Sequence, residues 1–200
     1  MPRIHIVCIS DTHGQHAKLR VPDGDVLIHA GDFMACGDTP KEIVDFNQWL
    51  GRQPHRHKVV IAGNHDSMFE RHPGAARELL GNEFYLENSG TEVAGLNFWG
   101  SPVQPEFNNW AFNVARGAQI RRYWEMIPDT TDVLITHGPP FGMLDKSHPS
   151  TPHLGCEELA KAVEQIKPRL HIFGHIHGGH GQIDCKRSAF RERVCGQRSV

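Results

Sequence analysis

The chain has 200 residues, of which 38% are hydrophobic and 22% charged, and this composition fits one globular domain with a substantial core. A formal net charge of −2 argues against recognition of nucleic acids or anionic membranes through bulk positive charge. The five cysteines are an odd number without a C-x-x-C pair, which favours a reducing compartment over a disulfide framework. No stretch is long and apolar enough to span a bilayer and none reads as a leader, so we expect a cytoplasmic protein without a membrane partner.

In the first half of the chain, short apolar runs alternate with polar loops. Runs rich in Ile and Val predict three buried strands, at residues 3–9, 25–29 and 58–62. Between the last two, residues 39–50 predict a helix that begins at Thr39 as N-cap, followed by Pro40 in the first helical position.

The rest of the chain continues the same alternation. Helices are predicted at residues 75–80, 118–126 and 157–166. Strands are predicted at residues 84–86, 91–99, 132–136 and 170–173. The repeated order of strand, loop and helix indicates a layered α/β architecture, in which binding sites collect at the carboxyl ends of the strands.

Five short polar motifs follow predicted strands at those ends. They are Asp11-x-His13, Gly31-Asp32, Gly63-Asn64-His65-Asp66, His137 and Gly174-His175-x-His177. Imidazole and carboxylate groups are ligands for zinc, manganese or iron. A spacing of two on an extended segment lets both members of a pair face the same volume, and each glycine allows close backbone approach. The motifs therefore predict a shared metal site.

This ordered set of motifs resembles the calcineurin-like metallophosphoesterase family. The segments LIHAGDF, VIAGNHD, LITHGPP and RLHIFGHIHGG are similar to its branch of small phosphodiesterases that act on 2',3'- and 3',5'-cyclic nucleotides. The resemblance implies a four-layer α/β/β/α sandwich with the metal site at the carboxyl ends of the strands. It also implies a site with two metal ions, Mn, Fe or Zn, and a small phosphodiester or nucleotide as substrate.

The same resemblance assigns roles to individual residues. It implies that one metal is held by Asp11, His13, Asp32 and His177. It implies that the other is held by Asp32, Asn64, His137 and His175, with Asp32 bridging the two.

His65 is expected to be catalytic rather than a ligand. It would contact the phosphate or protonate the leaving oxygen. Asp66 could orient it. No separate organic cofactor site is predicted.

The implied reaction is in-line attack of a metal-bridging hydroxide on a phosphodiester. Two alternatives stay open at this stage. One is a nucleotide- or metal-binding regulatory module with little turnover, and the other is a phosphomonoesterase or nuclease on the same scaffold.

Two loops could shape the substrate site. Residues 101–113 contain Phe107, Trp110 and Phe112, which we expect to pack the loop onto the domain, although one of them could stack a nucleobase. Residues 141–154 follow His137 and could form a binding loop. Arg116 is a possible phosphate contact.

The chain is short after its last motif. We expect one metallophosphoesterase domain at residues 1–183 and an irregular basic tail at residues 184–200, with C-terminal strands of the sandwich possibly missing. An unfilled sheet edge is a pairing liability. Either the tail or a second copy of the chain, in a homodimer, would then cover that edge.

Overall fold

The computed structural model describes residues 3–35, 37–186 and 191–195. Its first half forms a parallel sheet in the order β1-β2-β3-β4. The strands of this sheet are β1 (Ile6–Ile9), β2 (Val26–Ala30), β3 (His57–Ile61) and β4 (Phe84–Tyr85). The helices that accompany it are α1 (Pro40–Gly51), α2 (Ser67–Arg71) and α3 (Pro73–Glu78). We call this half the first layer pair.

The second half forms a six-stranded sheet in the order β11-β12-β10-β9-β6-β5. Its strands are β5 (Ser89–Val93), β6 (Leu96–Ser101), β9 (Val133–Thr136), β10 (Leu170–Ile172), β11 (Gln182–Lys186) and β12 (Arg191–Cys195). The remaining elements are β7 (Gln104–Pro105), β8 (Asn113–Val114), α4 (Ala118–Trp124) and α5 (Glu157–Ile166), with short 3-10 turns at His16–Lys18 and His177–Gly179. We call this half the second layer pair.

Alternation along the strands explains how the two sheets stack. Leu27 of β2 joins the cluster that packs against α1, whereas its neighbours Val26 and Ile28 point into the core between the sheets. In β9, Val133 enters that same central core, while Leu134 packs against α4 and α5. The fold is therefore the four-layer α/β/β/α sandwich of the metallophosphoesterases, as the sequence predicted.

One predicted strand is in fact a hairpin. The strand expected at residues 91–99 is divided into antiparallel β5 and β6, joined at Ala94 and Gly95. Both residues have positive φ angles, 53° and 78°, as the two central residues of a tight type I′ turn require. Alanine is an unusual residue for this conformation, so the sequence lacks the Asn-Gly or Asp-Gly pair that would have indicated a hairpin.

The expectation of an irregular segment from residue 184 is wrong for residues 184–186 and 191–195. These residues belong to β11 and β12, and β12 pairs in parallel with β10. The chain's own C-terminal segment thus covers the edge of β10, and the strands thought to be missing are present. The rest of the expected tail, residues 187–190 and 196–200, lies outside the described residues. The domain limit at residue 183 and the homodimer stay predictions.

No helix among the described residues is long and apolar enough to cross a membrane. The cytoplasmic location stays a prediction.

Candidate metal centre

The motif loops meet at the carboxyl ends of both sheets because glycines let them approach closely. A Cβ atom at Gly63 would collide with the carboxylate of Asp32, and one at Gly174 would collide with the carboxylate of Asp11. Any side chain at these two positions would therefore displace a predicted ligand. The glycines before Asn64 and His175 thus allow the close backbone approach that the sequence predicted.

Four of the predicted ligands adopt a left-handed backbone conformation that L-residues seldom populate. Asp11, His13, Asp32 and His175 have φ angles of 52°, 43°, 58° and 71°. Such residues each cost on the order of 1 kcal/mol and persist where the surroundings fix them. These four are among ten non-glycine residues with positive φ in the described part of the chain, and they lie in the ligand loops of both sheets.

Backbone hydrogen bonds and one buried carboxylate hold the loops of the first sheet together. Asp66 is fully buried, and its oxygens accept from the backbone N–H groups of Asp32 (2.8 Å), Met34 (2.8 Å) and Gly63 (2.7 Å). It therefore joins the loop after β2 to the loop after β3. The sequence suggested that Asp66 orients His65; the hydrogen bonds instead show it clamping the ligand loops, a role that no sequence pattern signalled.

Asp11, His13 and His177 form one cluster of donor atoms, which we call the outer cluster. The Nε2 atoms of His13 and His177 are 3.3 Å apart, and His177 Nε2 is 3.5 Å from Asp11 Oδ1. Metal–nitrogen distances are about 2.0–2.1 Å, so two nitrogens at this separation can bind one cation. The side chain of His177 is 51% exposed, and this cluster thus opens to solvent.

Asp32, His137 and His175 form a second cluster, which we call the inner cluster. His137 is fully buried; its Nδ1 lies 3.0 Å from the carbonyl oxygen of Ala30, and its Nε2 lies 2.9 Å from Asn64 Oδ1. A carbonyl only accepts, so Nδ1 carries a proton and Nε2 faces the cluster. Asn64 is thereby placed as a further oxygen donor beside the inner cluster.

Asp32 lies between the two clusters. Its Oδ1 is 3.4 Å from His137 Nε2, and its Oδ2 is 4.0 Å from His13 Nε2. The two sheets also meet here, because the N–H of His175 donates to Asp11 Oδ1 at 3.0 Å. The structure therefore brings together all seven residues that the sequence assigned to metals.

Burial and neighbouring charges shift the pKa values of the ionisable groups in the inner cluster. Burial alone would raise the pKa of Asp32, but the ring of His137 and the N–H of His65 hold it below its usual range. Burial would lower the pKa of His137, yet the Asp32 carboxylate raises it to about 9. For His175, burial and the neighbouring His137 lower the pKa to about 4. The buried Asp32 carboxylate therefore depends on a positively charged partner, which is a role that a cation can take.

His65 stands beside both clusters with its ring fixed. Its Nδ1 lies 3.0 Å from the carbonyl oxygen of Ala35, which leaves Nε2 available to a ligand. The ring packs on Trp110 with centroids 4.3 Å apart and contacts His13 edge-on at 4.5 Å. His65 also lies within ligand distance of His13 and Asp32. The geometry thus permits the predicted catalytic role and also a ligand role.

The two loops that the sequence left open border this centre. Phe112 is buried and packs on the domain as expected, whereas Phe107 and Trp110 are 54% and 39% exposed. Both exposed rings line a cavity of about 510 Å³ that also contains Asp32 and His65. The sequence did not point to Ala35 and Asn108, which complete the same cavity.

Arg116 does not face this cavity as a free phosphate contact. It donates to the carbonyl oxygens of Gly155 and Leu154 and to Glu157, each at 2.6–2.8 Å. The possible phosphate role is therefore replaced by a structural one, in which Arg116 fastens the loop before α5.

The donor set fits divalent metal ions. It consists of imidazole nitrogens, carboxylate oxygens and one carboxamide, without thiolate among the described members, and its donor atoms lie within 4.8 Å of one another in each cluster. Carboxylate and imidazole together suit first-row transition metals.

Comparison with known proteins agrees with this geometry. Residues 4–179 match the family model described as calcineurin-like phosphoesterase. The chain is 42% identical over 199 residues to human metallophosphoesterase domain-containing protein 1, covering 88% of this chain and 61% of that protein. It is 39% identical over 203 residues to UPF0046 protein K07C11.7 of Caenorhabditis elegans, covering 94% and 69% of the two chains.

The fold has counterparts among solved structures. The crystal structure of TT1561 of Thermus thermophilus superimposes with a TM-score of 0.65 at 14% identity, covering 98% of this chain and 90% of that one. The chain spans about three fifths of the length of its human relative. The match to the family model and the identity to these relatives show that this chain belongs to the calcineurin-like phosphoesterase family.

Proposed function

We propose that this chain is a binuclear metal-dependent phosphodiesterase that acts on cyclic nucleotides or similar phosphodiesters. The observation that supports it most is the position of Asp32. Its carboxylate lies 3.4 Å from His137 Nε2 of the inner cluster and 4.0 Å from His13 Nε2 of the outer cluster, so it would be within reach of a cation at either one. Asp32 belongs to the inner cluster and is also grouped with His13 of the outer cluster.

In this proposal the outer cluster and Asp32 hold one cation, and the inner cluster and Asn64 hold the other. When bound, two such cations supply Lewis-acid charge to the phosphoryl oxygens and lower the pKa of a bound water toward neutrality. The protein contributes fixed ligand orientation, because His137 is anchored on Ala30 and the bridging Asp32 is anchored through Asp66.

His65 is the residue that we assign to the ester itself. Its Nδ1 is engaged by Ala35, and Trp110 supports the face of its ring, so Nε2 can donate a proton to the departing ester oxygen. General acid catalysis of this kind contributes about 10²–10⁴-fold in rate. Because the ring of His65 is already held by Ala35 and Trp110, it loses little conformational freedom when substrate binds.

A nucleotide suits the cavity that adjoins His65. Its volume of about 510 Å³ is in the range of small-molecule sites. The exposed rings of Phe107 and Trp110 offer flat apolar faces on which a base can stack, for about 1–3 kcal/mol each. These features support a cyclic nucleotide over a substrate without an aromatic group.

The test is a metal count combined with an activity assay. The full chain is loaded with manganese, and hydrolysis of bis(4-nitrophenyl) phosphate and of 2',3'-cyclic AMP is compared with that of 4-nitrophenyl phosphate. We expect about two metal ions per chain and faster turnover of the diesters. Asp32→Ala should lose both metal and activity, whereas His65→Ala should keep its metal and lose about 10²–10⁴-fold in kcat.

His5→Ala is the matched control, because His5 is exposed and lies before β1, at the end of the strand opposite the site. It should behave as wild type. Equal slow rates in all four proteins would favour the metal-binding regulatory module. Preference for the monoester would favour a phosphomonoesterase. Loss of metal in His65→Ala would make His65 a ligand.

A further inference from the structure

A second cavity of about 540 Å³ lies beside the first one. The two cavities share three lining residues, Phe107, His175 and His177. The exposed ring of Phe107 therefore stands between them, and the motif histidines lie at their junction. A group bound at the metal centre has access to both spaces.

The walls of the second cavity are largely apolar and firmly held. Leu154 and Pro139 contribute side chains, and Leu154 is 38% exposed. The loop that carries Leu154 is folded around the buried carboxylate of Asp145, which accepts from the N–H groups of Gly142 (2.8 Å) and Gly155 (3.1 Å). The cavity is thus a formed feature of the molecule.

This loop also packs directly on the turn that carries His177. A Cβ atom at Gly178 would collide with the carbonyl of Ser147, and one at Gly179 would collide with the carbonyl of Leu144. The wall of the second cavity and a ligand of the outer cluster therefore have a fixed mutual position.

The charges of the second cavity do not suit another phosphate. Arg116 is the cation among its described lining residues apart from the motif histidines, and three of its hydrogen bonds already go to Gly155, Leu154 and Glu157. Glu106 adds a carboxylate to the same lining. An apolar ring or chain fits this wall better than an anion.

Resting on the proposed function, we infer that the two cavities hold the two organic substituents of one phosphodiester. The second cavity takes a substituent with an apolar ring or chain, and Leu154 contacts it. Within the proposed class of phosphodiesters, a linear diester with a bulky group on each side of the phosphorus therefore uses both cavities. A cyclic nucleotide, whose two ester oxygens belong to one ribose, occupies only one of the cavities.

The test compares binding of a ligand with two bulky substituents and a ligand with one. Dithymidine monophosphorothioate and thymidine methyl phosphorothioate are titrated by calorimetry into the manganese-loaded full chain, since the sulfur atom slows hydrolysis. In Leu154→Glu, the Kd for the first ligand should rise about tenfold. The second ligand can use the other cavity and should weaken less than about threefold.

Phe141→Glu is the matched control, because Phe141 lies in the same loop with 42% exposure and does not line the second cavity. It should leave both Kd values at those of wild type. Equal weakening of both ligands by Leu154→Glu, or no weakening of either, would overturn the inference. Hydrolysis of bis(4-nitrophenyl) phosphate by wild type tests the proposed function separately, so the two failures are distinguishable.

Discussion

The inner and outer clusters use the same residue types in different surroundings. His137 of the inner cluster is fully buried and anchored through Nδ1 on the carbonyl oxygen of Ala30, whereas His177 of the outer cluster is half exposed and lies on a short turn. Buried, preoriented ligands bind a metal more tightly than ligands that must be ordered. For the proposed centre, this comparison predicts slower metal exchange at the inner cluster than at the outer cluster.

Substitutions of single ligands test this difference and should have the largest effect. We expect His137→Ala to leave about one metal or fewer per chain and to abolish measurable diester hydrolysis, since it also leaves Asp32 without its buried partner. His177→Ala should keep the inner metal and lose only the outer one, with affinity reduced about 10–100-fold or more. Metal analysis after dialysis against a weak chelator provides the measurement. If both variants released the same metal at the same chelator concentration, the two positions would be equivalent.

A substitution of Asp66, which holds the ligand loops together, should have a smaller effect and tests the role of these loops. Asp66→Asn replaces one acceptor oxygen by an N–H₂ group that must face backbone donors of Asp32, Met34 or Gly63. We expect a loss of about 1–3 kcal/mol in the free energy of unfolding, measured by urea denaturation, together with weaker metal binding. Because Asp32 lies between the two clusters, metal binding at both of them should weaken. Asp129→Asn, at an exposed position, should change stability by less than about 0.5 kcal/mol.

The pH dependence of stability gives the smallest effect and compares the two layer pairs. Burial raises the pKa of Glu83, next to β4, to about 7, whereas hydrogen bonds from Arg121 and Lys161 lower the pKa of Glu158 in α5 to about 2. Between about pH 4.5 and 7 the unfolded chain ionises Glu83 more readily than the folded protein does, so stability falls as pH rises. Glu158 has the opposite effect, and its contribution is lost as pH falls from about 4.5 to 2.

The Glu83→Gln substitution isolates the first of these effects. We expect the melting temperature of the variant, relative to that of wild type, to be higher at pH 8 than at pH 5. A difference that is the same at both pH values would show that Glu83 ionises normally in the folded protein.

The convergence of the predicted ligands could be anticipated from the sequence for a physical reason. Each ligand follows a strand whose Ile and Val pattern is local, and carboxyl ends of parallel strands meet at one edge. Asp32 or His175 could thus be assigned without knowing any long-range contact. The resemblance to a family then supplied the pairing of ligands, which spacing alone did not determine.

Other features depend on contacts between distant residues and were not predictable. β11 and β12 lack a strong strand pattern, and the edge of β10 provides the pairing that makes β12 a strand. The role of Asp66 depends on N–H groups more than 30 residues away, at Asp32 and Met34. The sequence alone did not distinguish Trp110 from other aromatic residues in loops, because its contact with His65 arises only in the folded structure.

The contact between Gly174 and the Asp11 carboxylate joins the two sheets where the chemistry is expected to take place. A residue of one sheet's loop fills the space beside a ligand of the other, and the N–H of His175 is bonded to that ligand. Each cluster takes donor atoms from both sheets, so the spacing of the sheets sets the distances between donor atoms within each cluster. Substitutions in the central core, such as at Ile135 or Val59, can then alter catalysis by spreading the sheets even when the protein remains folded. In such a molecule, interior residues far from any substrate are subject to selection on reaction rate.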